Sequence, residues 1–285
     1  MVGEFPELQG VIGGIYARLD GEPVSVWQAV YDQYAPAGLE GTLPRGALGA
    51  VVGVADRLDT LAGLFAVGEV PSGSKDPFAL RRAALGIVRI CAEAPLRCDL
   101  GSAAERALAL RDGVEAAPAL REFLQERLRH YLTAVAGVAT EVADAVIAAH
   151  WGVVPEDLAR ARALEAVRSE EVFASLAVAF KRVRNMVGKN GEGHANGKTP
   201  KDKAERDLSA AVAKAESEVA RAAERGEFPA GLRSLAPLAA PLDAFFTDVL
   251  VLCEDEELKA ARLALLARVE RVFLRLADVS KLSAG

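Results

Sequence analysis

The sequence is short of aromatic residues, cysteine and histidine, and it has no long apolar run. Each shortage removes a class of protein. Phe, Trp and Tyr make up 6% of the 285 residues, few for the cross-strand aromatic pairs on which β sandwiches depend. The three cysteines, Cys91, Cys98 and Cys253, form no CxxC pair and no even-numbered framework. A disulfide-stapled secreted scaffold is therefore excluded, and a reduced, cytoplasmic setting is expected. The longest apolar stretch, Gly46 to Ala55, is closed by Asp56 and Arg57 and is far too short for a membrane span. The opening MVGEFPELQG lacks a basic start and carries Glu4 and Glu7, so it does not read as a signal peptide. The formal charge of −6 argues against a protein that coats nucleic acid indiscriminately. Any contact with RNA must come from a local patch.

What is present is material for helices. The chain is 51% hydrophobic and 26% charged, with Ala and Leu dominant, enough to bury a sizeable core. No internal repeat and no useful strand-like alternation occurs, so the expected fold is all-α. Gly10, Gly13 and Gly14 allow close packing or a turn near the start. Residues 33 to 46 read as a loop, punctuated by Pro36, Pro44 and glycines. In the helix that follows, Val51, Val54, Leu58, Leu61 and Phe65 form one apolar face. Asp76 is a suitable N-cap with Pro77 at the first helical position. From there Leu80, Ala84, Ile87, Val88 and Cys91 recur at helical spacing until Pro95, leaving Arg81, Arg82 and Arg89 on the other side. Helical periods continue over 102–186, clearest at Leu120–Tyr131 and Ala159–Val187, with breaks near Asp112–Gly113, Gly137 and Gly152–Pro155. Composition then shifts: 187–203 holds four glycines, two asparagines and a proline, the signature of a mobile loop or hairpin. Helices are expected again over Ala204–Arg225 and Pro237–Leu282.

Few residues suggest chemistry. Gly197, Lys198 and Thr199 invite comparison with a phosphate loop, but that spacing requires glycine where Glu192 stands, and no strand precedes it. His130, His150 and His194 lie far apart with no second ligand one helical turn away. Asp56 and Asp59 share a helix face, and a salt bridge to Arg57, Arg81 or Arg82 is the expected use of them. No catalytic residue and no metal ligand set is read. The informative feature is charge: residues 181–206 hold eight Lys or Arg against three acids. Cations on a pliable, Gly-rich segment suit an irregular phosphate backbone, although a solvated helical face has the same composition. Arg262, Arg268 and Arg271 on the last long helix share that ambiguity.

Several segments together resemble one family. MVGEFPELQG with Tyr16-Ala17, ADRLDTLAGLFAVG (55–68) and GSKDPFALRRAALGIVRI (73–90) are similar to the β subunit of bacterial tetrameric glycyl-tRNA synthetase. So are KRVRNM (181–186) and LDAFFTDVLVLCEDEELKAARLALLARVERVFLRLADVSKL (242–282). The match is weakest at about 96–160 and 187–236. The resemblance implies two helical domains: the end of an HD-like domain at 1–112, inside which the chain starts, and an anticodon-binding bundle at 113–285 with the loop 187–203. It implies that ATP and magnesium act on the α subunit, with no cofactor on this chain. The implied partners are glycine tRNA, the α subunit and the remaining β-subunit domains, with no membrane.

The implied tRNA-binding residues are Lys181, Arg182, Arg184, Asn185, Lys198, Lys201, Lys203 and Arg262, of which Lys181, Arg182, Asn185 and Arg262 match the family pattern. Phe180 and Ala261 stand where the family commonly has Asn, so base contacts do not carry over there. HD-type hydrolases use an early His and a His-Asp pair that have no counterpart before Asp56, so a metal hydrolase is not expected. A scaffold that binds no RNA is the other alternative.

Overall fold

The computed structural model describes residues 3–38, 40–191 and 202–282. Among them the regular structure is helical, with only an isolated bridge between Ser72 and Lys75, so the all-α expectation holds. The α-helices are α1 (Val11–Leu19), α2 (Val24–Asp32), α3 (Gly46–Ala66), α4 (Leu80–Glu93), α5 (Leu100–Ala109), α6 (Ala117–Ala134) and α7 (Thr140–Ala149). They continue with α8 (Val154–Val167), α9 (Glu171–Asn190), α10 (Lys203–Glu224), α11 (Phe228–Arg233), α12 (Ala239–Asp248) and α13 (Glu256–Leu274). The chain divides into two compact units, Met1–Ala136 with Trp151–Leu158, and Gly137–His150 with Ala159–Gly285.

In the first unit α3 is the central helix. Val54, Leu58, Leu61 and Phe65 are buried as their spacing implies, and the Phe65 ring lies 5.3 Å from that of Phe123 on α6. Val51 departs from the expected face and is 47% exposed. At that end the buried stripe passes through Gly49, Ala50 and Gly53, where Pro44 and Ile90 come so close that a Cβ on Gly49 or Gly53 would crowd them. A 3.6-residue helix drifts against a strict seven-residue spacing, and Val51 falls on the outer side. Gly14 lets α1 meet α2, since a Cβ there would sit 2.6 Å from the Tyr31 Cβ.

The start of α4 differs from expectation. Pro77 lies in a turn, and Ala79 takes a left-handed conformation (φ 55°) before the helix begins at Leu80. Asp76 caps from four residues away: its carboxylate accepts from Leu80 N (2.8 Å) and Arg81 N (3.0 Å). The residue type suits the role, and the helix starts three residues later than Pro77 implies. The 33–46 segment is a loop held by two arginines. Arg57 donates to the carbonyls of Gln33 (3.1 Å), Tyr34 and Ala35 (both 2.9 Å), and Arg89 to those of Gly38 (2.8 Å) and Gly41 (2.6 Å). Irregular backbone has no ladder partners, so guanidinium forks satisfy its carbonyls instead.

The second unit is a bundle built on α9, α10, α12 and α13. Phe173, Leu176, Phe180, Val183 and Val187 bury one face of α9, and Phe180 stacks on Phe273 of α13 at 4.3 Å. Leu208, Val212, Ala215 and Val219 of α10 and Leu242 and Phe245 of α12 complete the core. The expected continuous stretch Ala159–Val187 is two helices, broken at 168–170. α9 also runs to Asn190, so the loop expected from 187 begins later; residues 192–201 of it lie outside the described residues.

Candidate nucleic-acid interface

Because α9 buries Phe173, Leu176, Phe180, Val183 and Val187, its 3.6-residue period sends Lys181, Arg182, Asn185 and Lys189 to the opposite side. All four are exposed. Lys181, Asn185 and Lys189 lie at i, i+4 and i+8 and have no hydrogen-bond or ion-pair partner among the described residues. The Arg182 guanidinium lies 4.3 Å from the centre of the Phe246 ring on α12, a cation–π contact that orients the side chain while leaving its donors open.

Beside this stripe, between α9 and α12, is a hollow of about 490 Å³. Ala179, Ala239 and Ala240 contribute small apolar surface, and Ser175, Arg182 and Asp243 contribute polar groups. Val178, 53% exposed, adds an open apolar surface. Small side chains give room for a flat ring, the guanidinium offers donors to a phosphate or base edge, and the carboxylate accepts from an exocyclic amine.

The other cations of the expected set are placed differently. Arg184, also on α9, is half-exposed and bonded to carboxylates, with Glu270 at 2.5 Å and Asp278 at 3.5 Å. Arg262 is 7% exposed. It donates to Glu205 (2.5 Å), to Asp202 (2.9 Å) and to the Leu250 carbonyl (2.8 Å). Asp202 and Glu205 form the capping box of α10, so Arg262 fastens the start of that helix to α13 and the 250 segment. Burial alone would pull its pKa down; the Glu205 hydrogen bond and the neighbouring charges outweigh this and hold it above the ordinary arginine value. All three of its bonding nitrogens are satisfied inside the unit, which makes Arg262 an anchor rather than a surface for phosphate. Lys203 is exposed and pairs with Asp207 one turn away at 2.5 Å. Lys198 and Lys201 lie outside the described residues.

Sequence reasoning did not single out Phe246 or Lys189 for the site. Lys189 was recoverable from its spacing with Lys181 and Asn185. Phe246 was not, since it lies 64 positions from Arg182 and only packing brings them together. Phe180 is fully buried against Phe273, so this aromatic is a core residue.

Of the early acidic pair, Asp56 acts on Arg57 through its charge without a hydrogen bond, and Asp59 is placed otherwise than expected. Asp59 bonds Arg111 (2.6 Å), not Arg57, Arg81 or Arg82. That contact holds the Arg111 pKa above its ordinary value, mainly through the hydrogen bond to Asp59. Among the described residues no group of three or more His, Cys, Asp or Glu converges as a metal site, and no helix is long and apolar enough to cross a membrane.

Comparisons with known proteins agree with this geometry. Residues 1–148 match the family model described as glycyl-tRNA synthetase beta subunit. Residues 176–281, which hold α9 and its partners, match that of the DALR anticodon binding domain. The chain is 40% identical over 298 residues to the glycine–tRNA ligase beta subunit of Acidobacterium capsulatum, covering 100% of this chain and 42% of the relative. It is 42% identical over 293 residues to that of an Anaeromyxobacter strain, again covering 100% and 42%. With that of an Acidovorax strain it shares 43% identity over 291 residues, covering 99% and 40%. The chain thus spans about two fifths of the length of these curated relatives. The chain belongs to the glycyl-tRNA synthetase beta subunit family.

Proposed function

We propose that the second unit recognises the anticodon arm of glycine tRNA through the outer face of α9, as the RNA-binding part of a cytoplasmic, ATP-dependent glycine–tRNA ligase. The observation that carries this reading is the contrast within one helix. Arg184 is bonded to carboxylates, whereas Lys181, Asn185 and Lys189 are exposed with no partner among the described residues, and Arg182 is oriented on Phe246. An unstacked anticodon loop presents phosphates and base edges together. Lys181, Arg182 and Lys189 neutralise phosphates and fix register, while Asn185 and the hollow beside Arg182 meet a base. Lys198, Lys201 and Lys203 follow α9 in the sequence as further cations; Arg184 and Arg262 hold the helices that present the α9 face. The chemistry of joining glycine to tRNA, with ATP and magnesium, belongs to the α subunit, and this chain supplies no catalytic group.

The test is binding of glycine tRNA, of the same tRNA with an exchanged anticodon, and of an unrelated tRNA, at two salt concentrations. Tighter binding of glycine tRNA, with the advantage gone on anticodon exchange, supports the reading. Equal binding of all three removes it.

Contact with the remaining domains of the synthetase has its own support in the first unit. Ile15, Tyr16 and Leu19 of α1 are 42%, 53% and 77% exposed, and Val24 is 62% exposed. A cluster of this kind fits a protein partner better than RNA. Replacing Tyr16 and Leu19 by Ser is expected to reduce co-elution with the α subunit and leave tRNA binding unchanged.

A further inference from the structure

A cavity of about 390 Å³ opens in the first unit among the 33–37 segment, α3 and the start of α4. Its walls carry polar groups that no described residue satisfies. The contrast with immediate neighbours is direct. Asp59 is paired with Arg111, and Arg81 donates to the Gly73 carbonyl at 2.9 Å. Asp56 and Arg82, which line the cavity, are exposed; Arg82 has no hydrogen-bond or ion-pair partner among the described residues, and the Asp56 carboxylate makes no hydrogen bond there, its charge acting on Arg57, which lines the cavity too. Gln9 adds an exposed amide to the same opening. Two aromatic side chains line it as well, Tyr34 at 46% and Phe78 at 53% exposure. Single exposed aromatics are ordinary; two of them in one cavity with an unpaired cation and a carboxylate whose oxygens accept no hydrogen bond are not.

The walls are also held in place. Arg57 fixes the Tyr34 segment through the carbonyls of Gln33, Tyr34 and Ala35, and Asp76 fixes the turn that carries Phe78 by capping Leu80 and Arg81. Neither aromatic depends on a ligand for its backbone position. The volume falls within the range of small-molecule sites.

The ligand must answer three demands together. The aromatic faces ask for a flat ring, Arg82 for an anion, and Asp56 for a hydrogen-bond donor. An apolar molecule would leave both charges facing it unpaired, at a desolvation cost. A plain inorganic anion would leave the aromatic faces unused and would meet Asp56 with the wrong sign. We propose that this cavity binds a nucleotide, with its base against Tyr34 and Phe78, a ring or exocyclic N–H on Asp56, and its phosphate on Arg82. The same chemistry arrives as a free mononucleotide or as an unpaired terminal nucleotide of an RNA. The inference is independent of the α9 face, which lies in the other unit.

The experiment titrates the full chain with AMP, CMP, GMP and UMP, and with ribose 5-phosphate as a base-free control, by calorimetry or ligand-detected NMR. A parallel arm measures tRNA binding before and after removal of the 3′-terminal nucleotides. Arg82→Ala and Phe78→Ala replace exposed side chains, and circular dichroism checks that their helix content is retained. Saturable binding of at least one mononucleotide, more than about tenfold tighter than ribose 5-phosphate and weakened about tenfold by Arg82→Ala, supports a free-nucleotide site. No mononucleotide binding, with tRNA affinity reduced on trimming and the same reduction in Arg82→Ala that trimming does not deepen, supports a terminal-nucleotide site. Ribose 5-phosphate binding as tightly as AMP overturns the proposal in favour of a plain anion site. Absence of both mononucleotide binding and any effect of trimming also overturns it. A Lys181→Ala/Lys189→Ala variant is expected to bind mononucleotide as the unmodified chain does, so failure here and failure of the α9 reading are told apart.

Discussion

Arg57 and Arg89 of the first unit and Arg184, Arg262 and Arg268 of the second are held by different groups. In the first, Arg57 donates to backbone carbonyls alone, and Arg89 to two carbonyls besides its helical partner Glu93. In the second, Arg184, Arg262 and Arg268 are bonded to the carboxylates of Glu270, Glu205 with Asp202, and Glu216. The electrostatic consequences have opposite sign. Burial lowers the Arg57 pKa, whereas the hydrogen bond to Glu216 raises that of Arg268, and Glu205 and its neighbours raise that of Arg262 against the pull of burial. Arg57 and Arg89 on carbonyls fix an irregular loop, which Arg45 at its end also ties to the Asp32 carboxylate, whereas Arg184, Arg262 and Arg268 on carboxylates fix one helix against another. The second arrangement also neutralises Arg184, Arg262 and Arg268, so the α9 cations without a carboxylate partner among the described residues are those of its outer face.

The contrast breaks most sharply at Arg262. Arg262→Met removes the guanidinium that neutralises Glu205, 3% exposed in its side chain. A loss of about 3 kcal/mol in the second unit is expected, read as a lower denaturant midpoint. Arg262→Lys is expected to recover little, because an ammonium cannot reach both carboxylates and the Leu250 carbonyl in the same planar geometry. A smaller effect is expected at Arg57. Arg57→Ala frees carbonyls that partly regain solvent, at a cost of about 2 kcal/mol, and hydrogen exchange should rise in residues 33–37 with helix content unchanged. Smallest is Arg111→Ala, which removes an exposed pair with Asp59 and is expected to leave the melting temperature unmoved. If Arg111→Ala destabilised as much as Arg262→Met, the distinction between surface and interior pairs would not hold here.

Helix identity was legible in the sequence because it depends on local spacing. Leu80, Ala84, Ile87, Val88 and Cys91 repeat every turn and are all buried. Helix ends were less legible, because they depend on where a single side chain reaches. Asp76 is recognisable as a cap, yet the left-handed Ala79 moves the start to Leu80. The break at 168–170 is hidden because Arg168, Ser169 and Glu170 include no Gly or Pro, and only the lapse in apolar spacing from Val167 to Phe173 marks it. The site divides in the same way. A count of charges locates the cationic segment, but not which cations are neutralised. Arg184 and Glu270 are 86 positions apart, and Arg262 and Glu205 are 57 apart. No helical period connects residues at that distance, so only tertiary packing reveals that Arg184 and Arg262 are bonded to carboxylates.

The outer face of α9 is tested most directly by the salt dependence of glycine-tRNA affinity in Lys181→Ala/Lys189→Ala. Both side chains are exposed, so stability should change by less than about 0.5 kcal/mol. The slope of log affinity against log salt is expected to fall by about two, roughly one for each phosphate that no longer meets a lysine. A double variant that folds normally and keeps the slope and affinity of the unmodified chain would contradict the assignment of α9 as the RNA-facing surface.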